Sequence, residues 1–240
     1  MNRIDGRSLD ELRPITFTPH FTKWAEGSVL AKFGETHVLC NVTIENTLPR
    51  WLQNDPNPHG WLTAEYAMLP RSTHSRRNRE NRWPKGRTQE ISRLIGRSLR
   101  MALNLELLGE HTLTVDCDVL QADGGTRTAA ISGSWVALAL ALRPLITQGE
   151  LPDTVIRHQI GAISVGIVNG TPMLDLPYAE DVVAETDLNV VMSASGQLIE
   201  IQGTAEKEPF TQKQLSQLID LAETGIKQIA QLQTKMIEDL

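Results

Sequence analysis

Three clusters of residues are suited to chemistry. Asp123-Gly124-Gly125-Thr126-Arg127 follows a strand-like run at 112–120 and precedes a long apolar run, so it reads as a strand-to-helix turn. The first N–H groups of a helix lack intrahelical partners and carry partial positive charge, which suits an oxyanion. Adjacent glycines let the backbone come close to a ligand, Thr126 adds a hydroxyl donor, and Arg127 can grip two phosphate oxygens at once. Taken alone, Gly-Gly-Thr-Arg reads more readily as a plain turn with a Thr cap.

The second cluster is acidic. Asp175, Glu180, Asp181, Glu185 and Asp187 fall within thirteen residues. Crowded acids repel unless they spread into water or a cation neutralises them, and an oxygen-rich set suits Mg2+ or Mn2+. Without further context the first reading is a solvated acidic loop.

The third cluster is basic. The net charge of −6 conceals a segregation: residues 71–100 hold ten Lys or Arg against Glu80 and Glu90, a surplus of +8, and the other 210 residues carry −14. Such a surface attracts polyanions while the rest keeps the chain soluble. On charge alone a solvated, salt-bridged loop and helix is an equal reading. The six histidines have no zinc-like spacing and the tryptophans no regular one; Trp135 is assigned to the core, and Trp83 to an apolar patch rather than to a stacked base.

These clusters need elements to hold them. A helix over 88–108 carries the apolar stripe Ile91, Leu94, Ile95 and Leu99, with Arg93, Arg97 and Arg100 on another face. A second helix, 128–145, is apolar nearly all round and belongs inside the core. A third, from 211 to the C-terminus, is amphipathic. Strands are expected at 112–119, 188–193 and 198–202. Two hairpin-like stretches echo one another, 28–39 and 164–176, the latter turning at Asn169-Gly170. The expected class is α+β: two similar β-rich halves packed with helices and sharing one core, in a single domain of residues 1–240.

At 40 % apolar composition the chain can bury a substantial core. Cys40 and Cys117 each lie in a strand-like run, which fits a reduced interior. The N-terminus lacks a signal-peptide core, and the most apolar stretch, 129–142, falls short of a membrane span. A cytoplasmic protein with no membrane partner is expected.

The run Asp116-Cys117-Asp118-Val119-Leu120-Gln121-Ala122-Asp123-Gly124-Gly125-Thr126-Arg127-Thr128-Ala129-Ala130-Ile131-Ser132-Gly133 resembles the signature of the ribonuclease PH family. So do Arg3-Ile4-Asp5-Gly6-Arg7 with Leu12-Arg13-Pro14, Leu69-Pro70-Arg71-Ser72-Thr73-His74, residues 86–100 beginning Gly86-Arg87-Thr88, and Leu174-Asp175-Leu176-Pro177-Tyr178-Ala179-Glu180-Asp181 through Asp187. They occur in one order across nearly the whole chain. The resemblance implies a fold related to ribosomal protein S5 domain 2, and a homo-hexameric ring built as a trimer of dimers. It implies that Arg87, Gly125, Thr126 and Arg127 surround inorganic phosphate, and that Asp181 and Asp187 fill the catalytic and Mg2+- or Mn2+-binding role. Glu180 and Glu185 are read as bystanders.

The implied activity is phosphorolytic 3′-to-5′ trimming of tRNA precursors, releasing nucleoside diphosphates and able to run in reverse, with a possible part in rRNA processing. Arg71, Arg76, Arg77, Arg79 and Arg93 are the expected RNA contacts. The chain departs from the family pattern around Arg82-Trp83-Pro84-Lys85, and Asn189 stands where the related polynucleotide phosphorylases have Lys, so no lysine-assisted chemistry is carried over. A non-catalytic RNA-binding ring subunit is the alternative; it need not retain Arg87, Gly125-Thr126-Arg127, Asp181 and Asp187 together. A small-molecule phosphotransferase of the P-loop kind lacks its loop motif here.

Overall fold

The computed structural model describes residues 3–79 and 86–240; Glu80, Arg82, Trp83 and Lys85 of the basic segment lie outside the described residues. The first half is a five-stranded sheet in the order β1-β2-β3-β5-β4, from β1 (Ile15–Pro19), β2 (Gly27–Phe33), β3 (Thr36–Glu45), β4 (Trp61–Met68) and β5 (Thr112–Gln121). Its pairs are antiparallel except β4 with β5, which run parallel across the crossover helix α1 (Gly86–Met101). The second half is an antiparallel sheet, β7-β6-β8-β9, from β6 (Ile160–Val168), β7 (Thr171–Leu174), β8 (Thr186–Ser193) and β9 (Leu198–Ala205). Both expected hairpins form, β2–β3 and β6–β7, and Asn169 and Gly170 both take the positive φ that a tight hairpin turn demands.

Alternation explains the first sheet. Val38, Cys40 and Val42 on β3, and Leu113, Val115, Cys117 and Val119 on β5, point inward while their neighbours are more exposed. Against this face lies α2 (Thr126–Thr147), buried without interruption from Thr128 to Leu142. It has the length and apolarity of a membrane span, and its place is the shared core, against β2 and β3 on one sheet and β6 on the other. β6 packs against both α2 and α4 (Gln212–Glu238) and is buried at all nine positions. One cluster of buried side chains, including Phe33, Ile131, Leu138, Ile160, Val190 and Leu218, therefore runs through both halves. The helix α4 starts where Thr211 and Gln214 form a reciprocal capping box.

The first helix is shorter than its apolar pattern suggests, ending at Met101 rather than near Leu108. Tertiary pairing stops it. The Ala102 carbonyl accepts from the N–H groups of Arg157 and His158, Leu103 bridges Ile156, and Asn104 Oδ1 accepts from the N–H groups of Glu106 and Leu107. Asn competes with the helix in this way wherever its side chain can serve the backbone instead. Nor do the three arginines form a bare cationic stripe: Arg97 is paired with Glu200 of β9 at 2.5 Å, and Arg100 donates to the Leu62 carbonyl and lies 4.6 Å from the Trp61 ring centroid.

Candidate active site

The turn before α2 is built by Gly124 and Gly125, at φ 74° and 65°. A Cβ on Gly124 would sit 2.5 Å from the Leu176 carbonyl oxygen, so glycine lets the turn lie directly on the segment that leads into the short helix α3 (Tyr178–Asp181). Thr36 Oγ1 donates to the Gly124 carbonyl at 2.6 Å and accepts from the Asp123 N–H at 2.8 Å, while Asp123 Oδ1 accepts from the Tyr178 N–H. Arg13 donates to the Asp123 carbonyl and clasps the buried Asp175, just ahead of α3. The turn is braced on three sides, and the N-cap residue of α2, Gly125, has no side chain with which to cap the helix. The helix amides there are left for a ligand.

A cavity of about 490 Å³ opens at this point. Gly125, Thr126, Arg127, Arg87, Asp181 and Asp187 all line it. All six residues expected around phosphate and metal therefore meet in one space, from α1, the start of α2, α3 and β8. A neighbouring cavity of about 620 Å³ shares Arg87, Arg127, Asp181 and Asp187 and extends to Gln202 and Glu206. Arg127 Nη1 donates to Gln202 Oε1, whose amide donates in turn to Glu90 Oε1; the Glu90 carboxylate also lies 3.5 Å from Arg127.

The acids are strained electrostatically. Burial pushes Asp187 up to about 6, and the nearby Asp181 charge adds to the shift against the opposing pull of Arg127 and of a hydrogen bond from Asn189. Asp181 is also raised, chiefly by burial, with Arg87 and Arg127 opposing. Among the described residues no three His, Cys, Asp or Glu side chains converge as a closed metal cage. Two half-buried, mutually repelling carboxylates facing a cavity lined by cations fit a hard ion that takes one or two carboxylates and completes its shell with water and phosphate oxygens.

The RNA-contact candidates divide. Arg77 lines the main cavity, and Arg79 lines an adjoining one with Arg77 and Arg87. Arg71 and Arg76 are exposed and bond within their own loop, to the His74 carbonyl and to Asn78. Arg93 is exposed on α1 and lines neither cavity around the acids.

Several residues that shape the site are silent in sequence. Glu180 is not solvated: its carboxylate receives two hydrogen bonds, at 2.6 and 3.1 Å, from the buried guanidinium of Arg3, beside Asp181. Tyr66 bonds the Thr126 hydroxyl at 2.8 Å from the far strand β4. Gln202 and Glu90 steady Arg127. Each is distant in sequence from what it supports; the one available signal is that Arg3 and Arg13 are charged residues inside otherwise recognisable motifs.

Comparison with known proteins agrees with this architecture. Residues 11–144 match the model of the 3′ exoribonuclease family, domain 1, and residues 158–225 that of domain 2. Among solved structures the chain is similar to rice (Oryza sativa) Rrp46, with a TM-score of 0.79, 19 % identity and coverage of 98 % of this chain and 99 % of that one. It is also similar to a chain of the Archaeoglobus fulgidus exosome with RNA bound to the active site, with a TM-score of 0.77, 22 % identity and coverage of 96 % and 92 %. A chain of an archaeal exosome core gives a TM-score of 0.75 at 22 % identity, covering 97 % and 91 %. At these identities the structural likeness speaks for the fold, and the family rests on the two matched models: this chain belongs to the ribonuclease PH family of 3′ exoribonucleases.

Proposed function

We propose that the protein is a phosphate-dependent 3′-to-5′ exoribonuclease. The observation that carries the proposal is the meeting of Arg87, Gly125, Thr126 and Arg127 with Asp181 and Asp187 in a single cavity. Inorganic phosphate is held by the amides at the start of α2, the Thr126 hydroxyl and the two guanidinium groups. One of its oxygens attacks the phosphorus of the last phosphodiester; the bond from that phosphorus to the 3′ oxygen of the preceding nucleotide breaks. The products are a nucleoside diphosphate and an RNA shorter by one, its new 3′ oxygen taking up a proton. One phosphate ester link is exchanged for one pyrophosphate link, so abundant nucleoside diphosphate drives the reverse reaction.

The residues contribute position and charge. Arg87 and Arg127 offset the charge of two phosphate groups brought together. Mg2+ or Mn2+, held by Asp181 and Asp187, would supply Lewis-acid stabilisation of the phosphate oxygens. Arg77 lines the main cavity and Arg79 the adjoining one, and the polymer would pass along them. The proposal extends to tRNA precursors as the main substrate with a part in rRNA processing, a cytoplasmic setting, and a homo-hexameric ring. The RNA-bound exosome chain to which this one is similar supports RNA as the ligand class.

The alternative, a non-catalytic RNA-binding ring subunit, has on its side the engagement of Arg127 by Glu90 and Gln202. Glu90 is half exposed, however, and an incoming phosphate competes for the same guanidinium. End-labelled RNA incubated with and without phosphate distinguishes the readings. Phosphorolysis requires shortening that depends on phosphate; shortening at an undiminished rate without it, releasing monophosphates, contradicts the proposal, and no shortening under either condition favours the alternative.

A further inference from the structure

Thr126 has one hydroxyl proton, and its direction decides whether the phosphate turn offers a hydroxyl donor beside Arg127. Its Oγ1 lies 2.8 Å from the phenol oxygen of Tyr66. Tyr66 is on β4 and only 4 % exposed. It is fixed there by pairing with Cys117 of β5 and by the packing of α1 over β4. Burial pushes the phenol above its ordinary value, so it remains protonated at neutral pH. A protonated, buried phenol has to place its proton on an acceptor, since a buried donor left unmade is costly. Among the described residues that acceptor is Thr126 Oγ1.

A hydroxyl that accepts from one side must turn its own proton to another. Thr126 lines the cavity beside Arg127 and Arg87. We infer that Tyr66 is a positioning residue for phosphate: it donates to Thr126 Oγ1 and thereby commits the threonine proton to the anion in the cavity. The reverse arrangement would leave the phenol proton unpaired and aim threonine lone pairs at a phosphate oxygen. Tyr66 never touches phosphate; it acts through Thr126 alone. The inference rests on the phosphorolytic reading above.

The test compares Tyr66→Phe in three backgrounds, native, Thr126→Ser and Thr126→Val, using inorganic phosphate as the probe. Phosphate affinity is read both from its protection against thermal unfolding and from KM for phosphate at saturating RNA. In the native and serine backgrounds Tyr66→Phe should weaken phosphate about three- to tenfold, the range of one oriented hydrogen bond, with KM for RNA unchanged. In the valine background, which has no hydroxyl to aim, it should do nothing. Packing damage would appear equally in all three backgrounds and would raise both KM values. An unchanged phosphate affinity in Tyr66→Phe, or an equal loss in the valine background, overturns the role of Tyr66 while leaving phosphorolysis intact. RNA shortening by the unsubstituted enzyme without phosphate overturns both.

Discussion

The Arg13 guanidinium clasps the Asp175 carboxylate through two hydrogen bonds, Nη2 to Oδ1 at 2.7 Å and Nε to Oδ2 at 3.0 Å, with the pair 5 % and 1 % exposed. The same guanidinium donates to the main-chain oxygen of Asp123. One buried strut therefore ties the phosphate turn to the residue that precedes α3 and Asp181. Two segments that contribute to the cavity, the turn and α3, are thus joined by a residue that is not part of its lining.

Removing the Arg13 side chain leaves the buried Asp175 carboxylate with the more distant Arg7, 3.5 Å away, and the main-chain N–H of residue 13, a loss that approaches the cost of a broken buried pair, about 3–5 kcal/mol. Arg13→Ala should lose stability of that order in urea unfolding. Asp175→Asn should lose less, because Asn tolerates the φ of 54° and keeps an acceptor for Arg13. Equal losses, or an Arg13→Ala loss below the roughly 1 kcal/mol of an ordinary exposed pair, would mean that the strut does not hold the site.

If Arg127 holds phosphate as proposed, Arg127→Ala removes a charge-assisted donor to it, and the loss of one such donor costs about 2–4 kcal/mol of transition-state stabilisation. Steady-state turnover should fall accordingly, with RNA retention on a filter at low salt little changed. Near-normal turnover would displace Arg127 from the phosphate site.

Asp187 is unfavourable to the fold once ionised. Its folded value, about 6, exceeds the ordinary 3.8, so the folded state binds the proton more tightly and this contribution to stability declines as pH rises from about 4 to about 6. In metal-free buffer at about pH 8, Asp187→Asn should raise the unfolding midpoint by roughly 3–8 °C while abolishing activity. The gain should shrink as the pH is brought down to the ordinary carboxylate range. A lower midpoint for the variant in the alkaline buffer would contradict the charge repulsion.

The two turn glycines should separate in their effects. Ala at Gly124 forces a Cβ against the Leu176 backbone, which cannot yield without moving α3, whereas Ala at Gly125 meets the ends of Arg13 and Thr128 at 3.2 Å. Gly124→Ala should cost several kcal/mol in chemical denaturation, and Gly125→Ala about 1–2 kcal/mol, from its positive φ. Gly125→Ala should nonetheless weaken phosphate. Equal stabilities for the two variants would argue against the close packing of turn and α3.

Much of this was legible in the sequence. The presence of the three helices and of both hairpins agrees with expectation, because the periodicity was strong; the placement of Arg87, Arg127, Asp181 and Asp187 in one cavity agrees with what the family resemblance implied, and no local pattern announced it. What escaped was non-local. The parallel pairing of β4 with β5 depends on a crossover that leaves no mark in either strand, and the short strand β1 ends at Pro19. Glu180 looked like one acid among five because nothing near it announces Arg3, 177 residues away. The overlong first helix arose from an apolar pattern that continues after tertiary pairing has taken over the backbone.

Replacing Arg76, Arg77 and Arg79 together by Ala should weaken RNA binding and flatten its salt dependence, roughly in proportion to the number of RNA phosphates these arginines neutralise. Titration of labelled RNA at several salt concentrations reads this directly. Because Arg77 alone of the three lines the main cavity, Arg77→Ala should account for most of any effect on turnover. An unchanged salt slope in the triple variant would take this loop out of the RNA path.

Radiolabelled orthophosphate supplied with unlabelled RNA tests the phosphorolytic claim most directly. The label should appear as the β-phosphate of released nucleoside diphosphates, one for each nucleotide removed. Shortened RNA accompanied by nucleoside monophosphates, with all of the label still in orthophosphate, would contradict it.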